Sequence, residues 1–426
     1  MSGSIGRLPE QWQGGKGLRI RAFNALQPPG ELAPDLASVP YDVISTAEAR
    51  ELVARKPWSF LHVVRPEVDL GEDADPYSGA VSAKAHENLR RFCEHGALVR
   101  DPARAVYVYR MVMDGRAQLG VMACLHVDDV DRNTIRRHET TREDKLRDRI
   151  RLIDTLGAHA GPVLMTYRDD PAITELLHAC EREEPLYDFK AHFDVRHTVW
   201  RVESSEALVD AFSRVEAAYV ADGHHRLAAA CEVARKRRPG ATAAGRGDGV
   251  ESDWFLAALF PAGELRVLSY NRCVADLNGL TTEQFLAACE ARFEPVVLAT
   301  GRPVQPGDIA VYVAGAWHGL RCPADRPGAD DPVGGLDVSY LQDALLGPVL
   351  GIEDPRRDAR IDFVGGIEGR AAVQRRVDRG EAAVGFCLYP VSVNQIMAIA
   401  DDGCIMPPKS TWFEPKLRSG LLVHTF

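Results

Sequence analysis

Two features of the sequence predict an α+β protein with mixed sheets. Apolar runs typical of strands are interspersed with amphipathic helical segments, and they follow no regular strand–helix–strand rhythm. The composition, with 46% hydrophobic and 26% charged residues over 426 positions, is typical of a folded globular chain. A chain of this length accommodates two or three domains, and we divide it into residues 18–130, 131–300 and 301–426.

The two outer ranges are predicted to combine strands and helices. Near the N-terminus, Thr46 and Glu48 suit the first turn of a helix. Near the C-terminus, a loop rich in Pro, Gly and Asp over residues 323–335 separates predicted elements. The predicted strands are 18–26, 105–111, 119–126, 309–313 and 361–364, and the predicted helices are 46–55, 78–95, 339–346 and 371–378.

The middle range begins with a highly charged block that continues into a helix. Thr140 and Glu143 match a capping box at its start. Steps of four and three place its apolar residues on one helical face: Leu146, Ile150, Ile153 and Leu156. Further strands are predicted at 163–167, 198–202 and 217–221, helices at 172–183, 205–214 and 227–236, and a pair of strands at 254–260 and 265–270.

Bulk properties exclude several classes of protein. A net charge of −10 disfavours non-specific binding to nucleic acid, because a polyanion is repelled. Residues 1–17 are polar and lack the apolar segment of a secretory signal, and no apolar run approaches the ~18 residues of a membrane helix. The nine cysteines form no CxxC pair. We therefore expect a cytoplasmic protein with reduced thiols and with neither a membrane nor a nucleic-acid partner.

The strongest signal for function is a turn that joins an apolar strand to a helix of small residues. The strand ends at Asp222, and Gly223 permits a tight turn that a side chain would resist. The free N–H groups at the start of the following helix suit a phosphate. Arg226 adds a fork of donors, and His224 and His225 can donate as well, especially when protonated. Asp222 can hold Mg²⁺ or orient a histidine. The alternative is a solvated strand–turn–helix without function.

The motif Asp222-Gly223-His224-His225-Arg226 resembles the phosphate-binding turn of the ParB/sulfiredoxin-like fold. Within that fold it is most similar to the free L-serine kinases of archaea and bacteria, over roughly residues 130 to 235. The resemblance implies a nucleotide, ATP or ADP, and Mg²⁺ as cofactors, and O-phosphoserine as product. From residue 21 to residue 424 the chain also resembles a bacterial family of unknown function, domain of unknown function 1015, which says little about chemistry.

The charged block ahead of the predicted helix supplies a candidate base. Transfer of a phosphoryl group to a hydroxyl needs a carboxylate that accepts the proton, and Glu139, beside His138, is that candidate. The free serine kinases carry a catalytic Glu in a similar His-Glu context, which implies the same role for Glu139. Arg142 is a cation in the first helical turn, where the helix dipole disfavours it, so we assign it with Thr141 to an anionic substrate. The alternative is a solvated, charge-paired helix face.

Two loops are predicted to border the pocket. The turn after Pro40 can place Tyr41 or Asp42 at its mouth, although helix capping explains it equally well. A proline-braced loop near the C-terminus holds Lys409 and Ser410, and its prolines reduce the entropy cost of fixing them. Lys409 can neutralise a transferring phosphoryl group. A solvated lysine is an equal alternative, and the serine kinases supply no counterpart to this loop.

Together, these features favour a kinase that moves a phosphoryl group from ATP or ADP to free L-serine or a similar small hydroxyl compound. No Walker A, Rossmann GxGxxG, HExxH or GxSxG motif is present. Hydrolysis in the same pocket is the close variant. A non-catalytic nucleotide switch of the ParB type is the rival from another class, and a scaffold is a third alternative. A homo-oligomer is compatible with the sequence.

Overall fold

The computed structural model describes residues 17–71, 74–238, 250–298 and 301–426. They form two compact units that are interleaved along the chain. Unit one contains the described residues up to 136, those in 140–264, and 415–426, whereas unit two contains 137–139 and 265–414. The three ranges predicted from the sequence differ from these units, and the boundary between residues 130 and 131 falls inside unit one.

Unit one is built around a nine-stranded mixed sheet. Residues with long apolar side chains fill these strands, and the central ones are buried on both faces. The strands of unit one are β1 (Ile20–Arg21), β2 (Leu26–Gln27), β3 (Val99–Arg100), β4 (Val106–Met113), β5 (Arg116–His126), β6 (Ile135–Arg136), β7 (Ala158–His159), β8 (Val163–Tyr167), β9 (Tyr187–Lys190), β10 (Arg196–Val202), β11 (Ala218–Asp222), β12 (Trp254–Pro261) and, after those of unit two, β21 (His424–Thr425).

The sheet order is β6-β11-β8-β12-β5-β4-β10-β9, and β1 pairs with β5. The pairs β6–β11 and β8–β12 are parallel, and the others are antiparallel. Two small sheets, β2–β3 and β7–β21, complete the strands of the unit. This arrangement places the end of β11 beside the start of β8, because these neighbours run in opposite directions.

Among the described residues of unit one, nine α-helices accompany these strands: α1 (Ala33–Leu36), α2 (Thr46–Val53), α3 (Leu61–Val64), α4 (Gly79–Glu94), α5 (Asp128–Asp131), α6 (Glu143–Leu156), α7 (Pro171–Cys180), α8 (Glu206–Phe212) and α9 (His224–Arg237). Short 3-10 turns occur at Gly30–Leu32, Pro66–Asp69, His192–Asp194 and Glu251–Asp253. The N-cap Ser45 and Glu48 form a capping box at α2.

The helix that follows β11 is held from two sides. Leu227, Ala230 and Ala234 of α9 belong to the core cluster that also contains the strands of the large sheet. On another side, Ala229 and Val233 pack against Ile153 of α6. The small side chains of α9 allow this close approach, so the start of the helix is fixed on the end of the sheet.

Unit two has its own antiparallel sheet, ordered β15-β17-β16-β19-β14-β18, and a two-stranded ribbon, β13–β20. Its strands are β13 (Arg266–Leu268), β14 (Asn271–Val274), β15 (Glu294–Val296), β16 (Asp308–Val313), β17 (Ala316–Arg321), β18 (Ile361–Val364), β19 (Val384–Leu388) and β20 (Trp412–Glu414). Its helices are α10 (Thr282–Glu290), α11 (Asp337–Leu341), a π-helix (Gln342–Leu346), α12 (Gly369–Asp378) and α13 (Val393–Asp401).

The predicted α+β class with mixed sheets is confirmed, whereas the assignment of a ParB/sulfiredoxin-like core stays a prediction. Several local predictions are wrong. Residues 254–260 and 265–270 do not pair, because β12 is buried between β8 and β5 while β13 pairs with β20. The predicted strand 18–26 is two short strands, β1 and β2.

All nine cysteines are free thiols, six of them buried. No helix in the described ranges is long and apolar enough to span a bilayer.

Candidate functional site

The turn between β11 and α9 has the backbone geometry that the sequence predicts. Gly223 is the N-cap of α9 with φ 95° and ψ 28°, a left-handed conformation that favours glycine. A glycine has no side chain with which to cap the helix. The first N–H groups of an α-helix have no partner within the helix, so this end of α9 is suited to an anion.

Arg226 folds back over this glycine. Its Nε lies 3.0 Å, and its Nη2 3.2 Å, from the position that a Cβ on Gly223 would occupy. The guanidinium also donates to the carbonyl oxygen of Pro162, just ahead of β8, and its Nη2 is 3.9 Å from Oδ1 of Asp222. The side chain is only 13% exposed. The absence of a Cβ at residue 223 therefore lets a cation lie directly on the turn.

A second cation at the turn comes from the C-terminal segment of unit one, residues 415–426. Lys416 places its Nζ 3.1 Å from Oδ2 of Asp222. Burial favours the protonated form of Asp222, but the positive charges of Lys416 and Arg226 outweigh this effect and lower its pKa below the usual range. Asp222 is therefore ionised at neutral pH, and two cations compensate its charge.

His225 accepts a hydrogen bond through one ring nitrogen, and its predicted role as a donor to phosphate stays a prediction. Its Nε2 accepts a hydrogen bond from the backbone N–H of Arg142 at 3.0 Å. Burial and the charge of Lys145 lower the pKa of His225, with Asp42 acting in the opposite direction. The ring is therefore neutral near pH 7, and its remaining donor is Nδ1–H. His224 is 3% exposed, in the core beneath the turn.

Arg142 differs from its prediction in two respects. The helix α6 begins at Glu143, so Arg142 is the N-cap, and the predicted capping box of Thr140 and Glu143 is absent. Its guanidinium already has an anion, because it binds Asp144 through Nη2 at 2.7 Å. This pair is exposed, so its contribution to stability is small. Thr141, one residue earlier, is half-buried.

Tyr41 and Asp42 lie in the same unit. Burial and the Asp42 carboxylate raise the pKa of Tyr41 to about 12, and the guanidinium of Arg149 lies 3.9 Å from the centre of the tyrosine ring. Tyr41, Arg149 and Arg226 line a cavity of about 30 Å³. That volume suits about one water molecule, so this cavity is too small to hold a nucleotide.

The other predicted site residues belong to unit two. His138 is fully buried, and its carbonyl oxygen accepts a hydrogen bond from the backbone N–H of Met406 at 2.8 Å. Glu139 is half-buried. Lys409 has a left-handed φ of 58°, and Ser410 is buried with its Oγ donating to Pro407 at 2.7 Å. The structure thus brings together Asp222, Gly223, Arg226, His225 and the backbone of Arg142, within unit one.

Two cationic residues, Lys416 and Arg272, were not predicted from the sequence as functional residues. Lys416 is 194 residues from Asp222, and no local pattern connects them. Arg272 is buried in β14, and the polar residues around it along the chain offered no signal for that burial. Within the part of the chain that the structure describes, no group of three or more His, Cys, Asp or Glu residues is arranged to hold a metal ion.

The family model described as "Protein of unknown function (DUF1015)" matches residues 20–339. Because the match covers more than half of the chain, the protein belongs to the DUF1015 family. The model ends before the C-terminal segment, so the resemblance expected between residue 339 and residue 424 stays a prediction. No curated protein matches the chain.

Several solved structures are distantly similar. SbnI with a C-terminal truncation, from Staphylococcus aureus, has 13% identity and a TM-score of 0.38, over 71% of this chain and 86% of that chain. A free serine kinase in complex with AMP has 11% identity and a TM-score of 0.34, over 71% and 92%. A mutant free serine kinase in complex with ADP has 10% identity and a TM-score of 0.35, over 73% and 95%. At these low scores the likenesses carry no inference about this chain.

Proposed function

We propose that the turn at Asp222–Arg226 binds a phosphate group of ATP or ADP, and that the protein transfers a phosphoryl group to the hydroxyl of a small molecule such as free L-serine. One observation carries the proposal: a glycine N-cap without a capping side chain lies directly under the guanidinium of Arg226. Helix N–H groups and a guanidinium together provide the donors that phosphate oxygens require.

In this proposal each residue of the turn has a separate task. Gly223 and the following amides hold phosphate oxygens, and Arg226 adds charge and two further donors. His225 contributes through Nδ1–H, since its Nε2 is occupied by the backbone of Arg142. Lys416, which already reaches Asp222, is a candidate for neutralising phosphate charge in addition to Lys409.

A divalent cation fits the turn only in part. Asp222 is ionised and supplies one carboxylate, and Mg²⁺ in proteins is usually held by one or two carboxylates together with substrate phosphates. Lys416 and Arg226 compete for the same oxygens. When bound with a nucleotide, Mg²⁺ would neutralise charge on the transferring group.

The proposed chemistry needs a proton acceptor, and Glu139 is the candidate. The hydroxyl oxygen of the acceptor attacks the terminal phosphorus, the bond from that phosphorus to the bridging oxygen breaks, and the hydroxyl proton passes to the carboxylate of Glu139. The leaving nucleotide keeps the bridging oxygen and its electron pair.

The test is to incubate the purified protein with L-serine, Mg²⁺ and either ATP or ADP and to measure phosphoserine. Glu139→Gln should abolish product while nucleotide binding is retained, and Arg226→Ala should weaken nucleotide binding. Glu143→Gln is a matched control, because that side chain is 83% exposed on the first turn of α6.

Other outcomes discriminate between the alternatives. Release of inorganic phosphate from phosphoserine or nucleotide, without transfer, would identify a hydrolase. Tight nucleotide binding without turnover of any hydroxyl acceptor would favour the nucleotide switch. If neither ATP nor ADP binds, the assignment of the turn is wrong.

A further inference from the structure

Unit two contains a buried cation that its fold does not neutralise. Arg272 lies in β14, whose four residues are all buried, and only 3% of its surface is exposed. Burying a charge is costly unless a partner of opposite charge or a full set of hydrogen bonds compensates it. Such a residue in a fully buried strand requires an explanation.

The contacts of Arg272 are few for a guanidinium. Its Nη1 donates to the carbonyl oxygen of Tyr270 at 2.8 Å, and its Nη2 donates to that of Lys409 at 3.2 Å. These two hydrogen bonds use two of the five N–H donors. Among the described residues no carboxylate forms an ion pair with it, and the ring of Phe363 lies 5.5 Å from its central carbon. Burial lowers the pKa of Arg272 to about 10, so it remains charged at neutral pH.

Arg272 lines a cavity of about 280 Å³. Two other arginines line the same cavity, but each has an acidic partner. Arg321 binds Asp308 at 2.8 Å, and Arg326 lies 3.7 Å from Asp337. Since both pairs are close to neutral, Arg272 gives the wall of the cavity one uncompensated positive charge.

We propose that this cavity is a binding site for a small anionic metabolite whose phosphate or carboxylate group is held by Arg272. The volume lies just below the ~300–1,000 Å³ typical of small-molecule pockets, which favours a compact ligand over a whole nucleotide. Ser410, which the sequence suggested as a substrate-binding residue, lines the same cavity. All residues that line the cavity belong to unit two, and none of them belongs to the turn at Gly223.

The experiment measures binding of inorganic phosphate and, separately, of acetate to the full-length protein by calorimetry at constant ionic strength. We expect Arg272→Met to weaken binding of one of these anions roughly ten-fold or more, the effect of losing a charged hydrogen bond. The anion affected identifies the ligand class as phosphate or carboxylate. Arg357→Met is the matched control, because its side chain is 89% exposed in the same unit, and it should leave binding unchanged.

Further variants separate this site from the turn in unit one. In protein carrying Arg226→Ala, a phosphate-binding event that is still sensitive to Arg272→Met supports the proposal. Arg272→Lys is the second variant, for use if Arg272→Met does not fold. It keeps the positive charge but loses the paired N–H donors of the guanidinium, so we expect an affinity between those of the wild type and Arg272→Met. The proposal is overturned if neither anion binds the wild type, if Arg357→Met has the same effect, or if Arg272→Met and Arg272→Lys both bind as tightly as the wild type.

Discussion

The Nζ of Lys416 lies 3.1 Å from the carboxylate of Asp222, across 194 residues of sequence. The contact joins the end of β11, at the foot of the candidate phosphate turn, to a segment synthesised after all of unit two. Both side chains are mostly buried, at 16% and 30% exposure. The pair therefore fixes the charge of the turn and ties residues 415–426 to the large sheet.

Lys416→Met tests this pair. Removing one partner of a buried ion pair is destabilising, but Asp222 is partly exposed and Arg226 remains nearby, so we expect a loss of about 1–3 kcal/mol at pH 7. Asp222 has a lowered pKa in the folded protein, so the stability it contributes is present above its unfolded pKa and is lost as the pH falls. The difference in the free energy of unfolding between variant and wild type should therefore become smaller below about pH 4. Urea unfolding measures it, with the exposed Lys236→Met as a control that should change little.

Gly223→Ala tests the proposed phosphate-binding turn. The left-handed backbone alone costs an L-residue roughly 1–2 kcal/mol, and the new Cβ would also displace the guanidinium of Arg226. Gly115→Ala is the control, because that glycine has a similar φ of 76° and no atom within 4 Å of its Cβ position. We expect a larger loss of stability at residue 223, together with weaker nucleotide binding. Equal losses in thermal unfolding would show that Arg226 moves aside freely.

Arg226→Ala should weaken binding of nucleotide by about 1.5–3 kcal/mol, the usual value of hydrogen bonds to charged groups. Calorimetric titration of ATP and ADP gives the difference directly. Arg235→Ala, on the same helix and half-exposed, is expected to bind as the wild type does. If Arg226→Ala binds nucleotide with unchanged affinity, the turn at Asp222–Arg226 is not the phosphate-binding site.

The buried His126 should make the protein less stable in mild acid. Burial and the charge of Arg19 lower its pKa from 6.5 to about 4, so the folded protein binds its proton less readily than the unfolded chain. The contribution of this group is fully present above pH 6.5 and is lost as the pH falls towards 4, by on the order of 1–2 kcal/mol between pH 7 and pH 5. Urea unfolding at pH 7, 6 and 5 should show a shallower decline in His126→Gln than in the wild type. The exposed His178→Gln should keep the full decline.

The sequence predicted elements whose signal is local. Strand β8 matches its predicted residues 163–167, because a short apolar run is bounded by turn residues. The turn at Gly223 was found since an apolar strand, a glycine and a helix of small residues follow one another. Pairing between distant segments has no such signal, so the position of β12 between β8 and β5 was missed.

The same limit applies to the site. Asp222, Gly223 and Arg226 form one local motif and were predicted together, whereas Lys416 comes from a distant segment. The role of His225 depends on a hydrogen bond to residue 142, which no pattern within α9 indicates. The predicted functions of Glu139, Lys409 and Ser410 stay predictions, and the assay of Glu139→Gln addresses the first of them.

The interleaved course of the chain has a consequence for folding during synthesis. Strand β21 pairs with β7, and both Lys416 and β21 belong to the segment made after residues 265–414. All strands of the antiparallel sheet of unit two precede residue 415, whereas β7 and Asp222 of unit one have partners that follow it. During synthesis, the Lys416–Asp222 contact and the β7–β21 pair can therefore form only after residues 415–426 have left the exit tunnel.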